Sequence, residues 1–344
     1  MKPRHAGIGR SQRGIALLTA IILVAIATIL ATAISWQSSL SARRGIAVFT
    51  VAQAYALAQG GEALAGYVLR DSRTRHPQVV SASQEWAMPY GPVELDAGAT
   101  LEASLEDQGG KFNLNSVVAH ATAGATAPTG ATFTTGATGA AAAPDAPLVR
   151  DPVGAEQFTR LLELLNIDPQ LTARLVDWID RDDQPGANGG AEDSYYLGLQ
   201  PAHRVPNMPI TSVSELLAMG MDRASYDRIK SLVTALPVGT PLNLCTAPAE
   251  VLDAVAGQRS YSTDPRQFVQ LRSQGECFPD LATFRNSVAP ALATQLTGRI
   301  GTTSQYFRLR AFVTLGTTRF TLYSLLEQPQ GGQIRPLLRT FGTE

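Results

Sequence analysis

Six carboxylates are crowded into one short stretch near the middle of the chain. They belong to Asp177, Asp180, Asp182, Asp183, Glu192 and Asp193, and the segment between them, QPGANGG, is rich in the helix breakers proline and glycine. Negative charges this close together repel one another unless a cation lies among them. Calcium takes oxygen ligands in a flexible geometry, including backbone carbonyls of the kind that such a loop supplies. The spacing is not that of an EF-hand, so calcium binding and a solvated acidic turn are both open interpretations.

The other reactive side chains form no recognisable catalytic or zinc-binding pattern. The 344 residues include two cysteines, which are far apart, and four scattered histidines. Neither a G-x-S-x-G nor an H-E-x-x-H motif is present, and no C-x-x-C pair occurs. His203, the only histidine between residues 153 and 298, stands beside Arg204, which favours a structural role. We therefore expect a protein that is not an enzyme.

The N-terminus carries a basic segment followed by a long uncharged one. Residues 1–14 contain lysine and arginine but no acid, and residues 15–34 contain no charge at all. Twenty helical residues span roughly 30 Å, the thickness of the hydrocarbon core of a bilayer. Because the positive charges precede this span, we expect a cytoplasmic N-terminus and export of everything after Ser35 to the far face of the membrane. A plain signal anchor is consistent with these features, whereas a cleaved secretory signal has a shorter apolar run.

The junction between these two segments resembles the leader of type IV pilins and pseudopilins. A basic leader ends in Gly14, and the apolar helix begins directly at Ile15. The resemblance implies that a prepilin peptidase cuts after Gly14 and methylates Ile15, the new N-terminus, while the apolar helix is retained. The fifth mature residue is then Thr19, at a position where most pilins have a glutamate.

Both cysteines, Cys245 and Cys277, lie on the exported side of the span, where disulfides are permitted. A bridge between them would close a loop of about 32 residues. We expect the two to pair, and two isolated buried thiols are the alternative.

The exported part begins with the continuation of the apolar helix. Apolar residues recur at three- and four-residue spacings as far as Leu69, which predicts one helix over residues 15–69, roughly 80 Å long. A bend is expected at Gly60-Gly61, because glycine weakens a helix.

Two segments alternate between apolar and polar residues and predict antiparallel strands. Residues 93–105 alternate around a turn at 96–98, and residues 306–313 and 319–325 flank a turn at Gly316. These strands enclose the region between about 150 and 298, and we expect them to pack on the exported half of the helix as an α+β layer.

The region enclosed by the strands begins with low-complexity sequence and then becomes helical in pattern. Two of its stretches, 212–235 and 279–298, are similar to helix-turn-helix units, but acidic residues outnumber basic ones between 153 and 298, so we expect no nucleic-acid binding. The predicted organisation is a leader (1–14), a transmembrane helix (15–34), a pseudopilin helix with the first strands (35–118), a low-complexity loop (119–150), an inserted α-helical domain (151–298) and C-terminal strands (299–344).

Four stretches in this order resemble the protein K family of type II secretion systems, the large minor pseudopilins. The resemblance covers nearly the whole chain and implies a pseudopilin α/β domain with a large inserted all-α domain. Cys245 and the low-complexity loop depart from the family pattern. The four stretches are GGKFNLN (109–115), DWID (177–180) with GAED (190–193) and YY (195–196), RVPN (204–207), and PLNL (241–244) with TAPAEVL (246–252).

The resemblance also implies a function. It implies a minor pseudopilin at the tip of the pseudopilus, with other minor pseudopilins, the prepilin peptidase, the inner membrane and secreted substrates as partners. It favours calcium over a solvated turn at the six carboxylates. A subunit of a related type IV pilus or DNA-uptake machine and a signal-anchored periplasmic protein are the alternative functions.

The family picture gives Thr19 a specific meaning. The glutamate of other pilins meets the N-terminal ammonium of the preceding subunit inside an apolar bundle, where an unpaired charge is costly. A subunit with nothing above it needs no such glutamate, so Thr19 is consistent with a tip position. A polar residue that is simply tolerated in the span is the alternative.

Overall fold

The computed structural model describes residues 12–95, 98–121, 146–329 and 331–342, with side chains from residue 15 onward. Most of the predicted leader and most of the predicted low-complexity loop therefore lie outside the described residues. The helices are α1 (Gln12–Arg75), α2 (Pro152–Leu164), α3 (Leu171–Ile179), α4 (Asp193–Tyr196), α5 (Glu215–Ala218), α6 (Arg223–Ile229), α7 (Ala249–Ala256), α8 (Pro265–Ser273), α9 (Leu281–Ser287) and α10 (Pro290–Gln295).

The strands divide into one large sheet and three short two-stranded ladders. The ladders pair β3 with β6, β4 with β5, and β7 with β8. The strands are β1 (Tyr90–Leu95), β2 (Ala99–Asp107), β3 (Phe112–Asn113), β4 (Val118–His120), β5 (Leu148–Arg150), β6 (Val233–Thr234), β7 (Leu242–Asn243), β8 (Ile300–Gly301), β9 (Tyr306–Leu315), β10 (Thr318–Glu327) and β11 (Arg335–Phe341).

Helix α1 has two different environments along its 64 residues. Its apolar N-terminal part is exposed on all sides, whereas the part after residue 50 lies on the large sheet. The helix is uninterrupted at Gly60-Gly61, where the sequence suggested a bend. Gly61 is buried against the sheet, and a Cβ atom there would lie 3.3 Å from Leu101 Cδ1. This glycine therefore permits close packing of the helix on the sheet.

The large sheet is antiparallel, with the strand order β1-β2-β9-β10-β11. Both predicted hairpins are present, with Leu95 opposite Ala99 in the first and Leu315 opposite Thr318 in the second. Strand β11 was not predicted, because its side chains are mostly exposed and show no apolar alternation. We use "sheet domain" for these five strands together with residues 50–89, which comprise the end of α1 and the loop that follows it. Its apolar core includes Leu69, Trp86, Leu101, Phe307, Leu309, Val313 and Leu322.

The residues between β2 and β9 fold around a second apolar core, and we call residues 112–300 "the insert". The core of the insert begins earlier in the chain than the predicted N-terminal boundary at residue 151. Phe112, Leu114 and Val117, which the prediction placed with the sheet, are buried in the core of the insert. The physical reason is that strand alternation ends at Asp107, and Phe112 then stacks on Phe158 with their ring centroids 5.6 Å apart.

The insert is attached at the end of the sheet that lies farthest from the apolar part of α1. The C-terminal end of α1 contacts the end of β10, because Gln328 Nε2 donates to Leu69 O (2.9 Å) and Arg73 Nη1 donates to Gln328 O (3.0 Å). The end of β2 and the start of β9 lie beside that same end of β10, through the pairing of Asp107 with Phe307 and of Tyr306 with Glu327. Both connections to the insert therefore leave from the pole of the sheet domain opposite the apolar span.

Candidate functional site

Three of the six predicted carboxylates converge at the C-terminal end of α3. Asp180 ends this helix, Asp182 follows in the loop, and Glu192 immediately precedes α4. Each of them offers a carboxylate oxygen within 4.8 Å of the other two. Asp180 Oδ1 and Glu192 Oε1 are buried and have no hydrogen-bond partner among the described residues. The site thus presents two buried oxygen atoms that are free to bind another group.

Asp177 supports this cluster from the last turn of α3. Its side chain is 2% exposed, and its carboxylate accepts a hydrogen bond from Gly186 N (2.9 Å). The approach of the loop to this carboxylate requires glycine, because a Cβ atom at Gly186 would lie 2.8 Å from Asp177 Oδ1. A Cβ atom at Gly190 would collide with the same carboxylate and with the backbone of Gly186. The glycines of this loop therefore let the backbone fold over Asp177.

The electrostatics of the cluster favour the uptake of a positive charge. Burial, together with the charges of Asp182 and Asp177, raises the pKa of Asp180 to about 7. Burial and the neighbouring aspartates raise the pKa of Glu192 to about 7 as well. Burial also raises the pKa of Asp177, although hydrogen bonds from the backbone oppose this effect. A cation among these groups would offset both the burial and the mutual repulsion.

The remaining two of the six predicted ligands are not part of the cluster of three. Asp183 is exposed and contributes only its charge, which acts on Glu192. Asp193 is used elsewhere, because its Oδ1 accepts from Val205 N (3.0 Å) and its Oδ2 pairs with Arg204 Nη1 (3.3 Å). Asp193 therefore lies outside the cluster of three, and its side chain anchors the RVPN segment.

A layer of aromatic side chains, to which the sequence reasoning assigned no role at this site, lies next to the acidic cluster. Trp178 packs edge-on against Tyr196, with ring centroids 5.2 Å apart, and its Nε1 donates to Glu215 Oε2 (3.0 Å). Burial raises the pKa of Tyr196, whose hydroxyl has no partner among the described residues. Trp178 directly follows Asp177 in sequence and is hydrogen-bonded to Glu215, the first residue of α5. It therefore connects the acidic cluster to α5.

The two cysteines meet at the edge of the insert. The structure joins Cys245 and Cys277 in a disulfide, with their Cα atoms 4.6 Å apart. Arg272 lies beside the bridge and donates from Nε to Phe278 O (2.9 Å) and from Nη2 to Leu244 O (3.0 Å). Burial lowers the pKa of this guanidinium to about 10. The bridge therefore fastens the loop after β7 to the loop before α9.

The predicted cleavage point and Thr19 both lie near the start of α1. Residues 12–14 are helical, so the predicted cleavage point between Gly14 and Ile15 lies within the first turns of α1. The Thr19 hydroxyl donates to Ala16 O (3.0 Å), which satisfies it within its own helix and leaves no charge at this position. Among the described residues, α1 alone is long and apolar enough to cross a membrane.

The motif residues after β2 hold the loops of the insert together. Asn115 donates from Nδ2 to Ile210 O (2.9 Å) and to Leu236 O (2.8 Å), and its Oδ1 accepts from Ile210 N (2.9 Å). Asn113 Oδ1 accepts from Leu236 N (3.0 Å). A side-chain amide can both donate to and accept from backbone groups, which a carboxylate or a hydrocarbon cannot do here. This explains the asparagines of GGKFNLN as structural residues.

Comparisons with known proteins identify the family. A family model described as "Type II secretion system (T2SS), protein K" matches residues 110–238. The chain is also 32% identical to the type II secretion system protein K of Pseudomonas aeruginosa, an alignment that covers 97% of this chain and 94% of that protein. The chain belongs to the type II secretion system protein K family. It is therefore a minor pseudopilin of the type II secretion system.

A second protein K relative is similar over nearly its full length. The protein K of Klebsiella pneumoniae is 31% identical, and the alignment covers 96% of this chain and 97% of that protein. The fold is also similar to a structure titled the GspK-GspI-GspJ complex from enterotoxigenic Escherichia coli, with a TM-score of 0.68 and 23% identity over 88% of this chain and 100% of that chain. Protein K is a structural component of the secretion system, and the apolar helix α1, the one candidate span in the described part of the chain, suits a single-pass anchor in the inner membrane.

Proposed function

We propose that this protein K caps the membrane-distal tip of a pseudopilus and acts there as a structural subunit without enzymatic activity. The observation that carries the proposal is the position of the insert. It is attached at the pole of the sheet domain opposite the apolar span, where a subunit stacked farther from the membrane would have to lie. At the tip of a filament no subunit lies beyond that pole, so the insert hinders nothing.

Thr19 supports the same position from the other end of the molecule. An internal pseudopilin must neutralise the N-terminal ammonium of the subunit above it, because a bare charge within an apolar helix bundle is very costly. The Thr19 hydroxyl is bonded to Ala16 O and carries no charge, so it cannot perform that task. A subunit added first, with nothing above it, has no ammonium to neutralise.

The partners follow from the exposed apolar surface of α1. Beyond the span, Ile46, Val48 and Phe49 are each at least two-thirds exposed, and they would be covered by neighbouring helices in a filament. A relative was solved as the GspK-GspI-GspJ complex, which supports other minor pseudopilins as partners here. The basic residues before the span favour a cytoplasmic N-terminus and a periplasmic insert.

Maturation of the N-terminus forms part of the proposal. A prepilin peptidase would cleave after Gly14 and methylate Ile15, because a basic leader directly precedes the uncharged run. Mass spectrometry of the chain purified from membranes should find Ile15 as the methylated first residue. A mature chain beginning near Ser35 would contradict the pseudopilin anchor.

Calcium is the proposed ligand of the acidic cluster. Asp180, Asp182 and Glu192 supply the side-chain ligands, and Asp177 holds the loop that covers them. All of these donors are oxygen atoms, which suit a hard cation such as calcium and not the sulfur- and nitrogen-seeking transition metals. Bound calcium would supply positive charge and fix the loop between Asp180 and Glu192.

The tip position can be tested by stoichiometry. A tip subunit is present once per filament, so its molar ratio to the major pseudopilin should fall in inverse proportion to filament length. Purified filaments, sheared and sorted by length, allow this ratio to be measured by quantitative mass spectrometry. A ratio that is independent of length would assign the chain to internal positions.

A further inference from the structure

We propose that Asp107 is a positioning residue that fixes the orientation of the insert on the sheet domain through a buried hydrogen-bond network. Asp107 is the last residue of β2 and is only 6% exposed. It lies outside the acidic cluster, at the junction between the sheet domain and the insert. The orientation of the insert is a property of the single chain, so the proposal holds whether or not the chain caps a filament.

The first observation is that the two domains do not share an apolar core. The core of the sheet domain and the core of the insert are separate clusters of buried side chains. Apolar contacts resist separation but do not define an angle, because the hydrophobic effect has no direction. The relative orientation of the two domains must therefore depend on the polar groups at the seam between them.

The second observation is the number of donors that Asp107 collects at this seam. Its Oδ2 accepts from Asn243 Nδ2 (2.8 Å) and from Thr246 Oγ1 (2.6 Å), and its Oδ1 accepts from Gly109 N (2.8 Å). Ser304 donates to the same carboxylate. The donors come from the chain leaving the sheet, from the insert, and from the chain returning to β9, so one side chain connects all three.

Backbone hydrogen bonds extend the network to the loop after α1. Asn243 donates from its backbone N to Gly109 O (2.7 Å) and from Nδ2 to Val80 O (2.9 Å). Val80 N in turn donates to Thr302 O (2.8 Å). The connection between the domains is therefore a set of directional contacts made by both of their linking segments and by one loop of the sheet domain.

The glycines of the GGKFNLN motif make this close contact possible. A Cβ atom at Gly109 would collide with Ser304 Oγ, and a Cβ atom at Gly110 would collide with Thr246 Oγ1. Burial raises the pKa of Asp107 against the effect of its four donors. An asparagine at this position keeps the shape of the side chain, but its Nδ2 would face donors and could not accept from them.

The test uses the full chain in detergent micelles, with spin labels on cysteines introduced at Glu102 in the sheet domain and at Gln270 in the insert. Both side chains are exposed, and the native cysteines are bridged in the structure. Double electron–electron resonance then gives the distribution of distances between the two labels. Asp107→Asn should broaden this distribution, whereas the unsubstituted chain should give a narrow one.

Asp253→Asn is the matched control. Asp253 is also buried, and it accepts from Ser260 N (2.8 Å), Tyr261 N (2.7 Å) and Ser262 N (2.9 Å), but all of these groups lie inside the insert. This variant should lower the stability of the insert and leave the distance distribution narrow. A general loss of stability is in this way distinguished from a loss of orientation.

Hydrogen exchange gives a second measurement on the same variants. Exchange of the seam peptides that contain Val80 and Asn243 should accelerate on the order of tenfold in Asp107→Asn, with peptides from α2 and β10 unchanged. If Asp107→Asn does not fold, Thr246→Val, which removes one donor and keeps the side-chain shape, is measured in its place. A distance distribution as narrow as that of the unsubstituted chain, in whichever variant folds, would overturn the proposal.

Discussion

The sheet domain and the insert are stabilised in different ways. In the sheet domain, five strands and residues 50–75 of a 64-residue helix bury one continuous apolar face, so each element makes repeated contacts. In the insert, the longest helix has 13 residues and several have only four to nine. Helices this short are not stable alone in water. The insert therefore depends on covalent and charged cross-links between loops.

Removal of the disulfide should produce the largest difference in stability between the two domains. Replacing both Cys245 and Cys277 by serine opens a loop of 32 residues, which lowers the free energy of unfolding by about 3 to 4 kcal/mol in the chain-entropy model. Hydrogen exchange, followed separately in α2 and in β10, should show this loss in the insert alone. An equal loss in both domains would show that they unfold as one unit. It would contradict the conclusion that the disulfide stabilises the insert alone.

Calcium binding should have the next largest effect on the free energy of unfolding, and this effect should also be confined to the insert. Ligand binding stabilises the folded state by about 2.7 kcal/mol at a free concentration of one hundred times Kd. Thermal melts with calcium and with chelator should differ accordingly, and the fluorescence of Trp178 should report the binding because this residue adjoins Asp177.

Variants can assign the calcium response to the acidic cluster. Asp180→Ala and Glu192→Ala should each remove most of the response, because each removes a buried carboxylate oxygen that has no protein partner among the described residues. Asp193→Ala is the control, since its carboxylate is held by Val205 N and Arg204. Identical melting midpoints with and without calcium in the unsubstituted chain would contradict the proposed site.

The calcium-free protein should become less stable as the pH rises, because two carboxyl groups of the acidic cluster hold their protons more tightly in the folded state. The pKa values of Asp180 and Glu192 are raised from 3.8 and 4.5 to about 7 in the folded state. The folded state therefore binds these protons more tightly than the unfolded state, and its stability falls as the pH rises from about 4 to about 7.

Calcium competes with these protons, so its apparent affinity should increase over the same pH range. Urea titrations of the calcium-free chain, compared with the double variant Asp180→Asn and Glu192→Gln, isolate the contribution of the two groups. A difference between the two chains that grows in favour of the unsubstituted one as the pH rises would contradict the assigned direction.

The two domains also differ in how much of their structure could be predicted from the sequence. Strands β2 and β9 were predicted because one face of each is buried, which imposes a period of two on the sequence. Strand β11 and the short ladders of the insert carry no such period. The start of the insert at Phe112 was missed because two glycines and an alternating strand precede it without any change in composition.

The candidate sites, like the fold, could be predicted only in part from the sequence. The crowding of six carboxylates indicated the location, but sequence proximity could not show that Asp193 pairs with Arg204 while Asp180, Asp182 and Glu192 converge. Asp107 gave no signal, because an acid at the end of an alternating strand looks the same as its exposed neighbour Glu106. Partners that come from residues more than a hundred positions away can be found only in the folded chain.

Locating this protein K on assembled filaments shows whether it occupies the tip. A small epitope inserted in the exposed turn at Gly316-Thr317, which lies outside the insert and its seam, would be detected with gold-labelled antibody by electron microscopy. Gold is expected at one end of each filament only. Gold distributed evenly along the filaments would contradict the tip position, because the insert would then have to point outward without hindering the stacking of subunits.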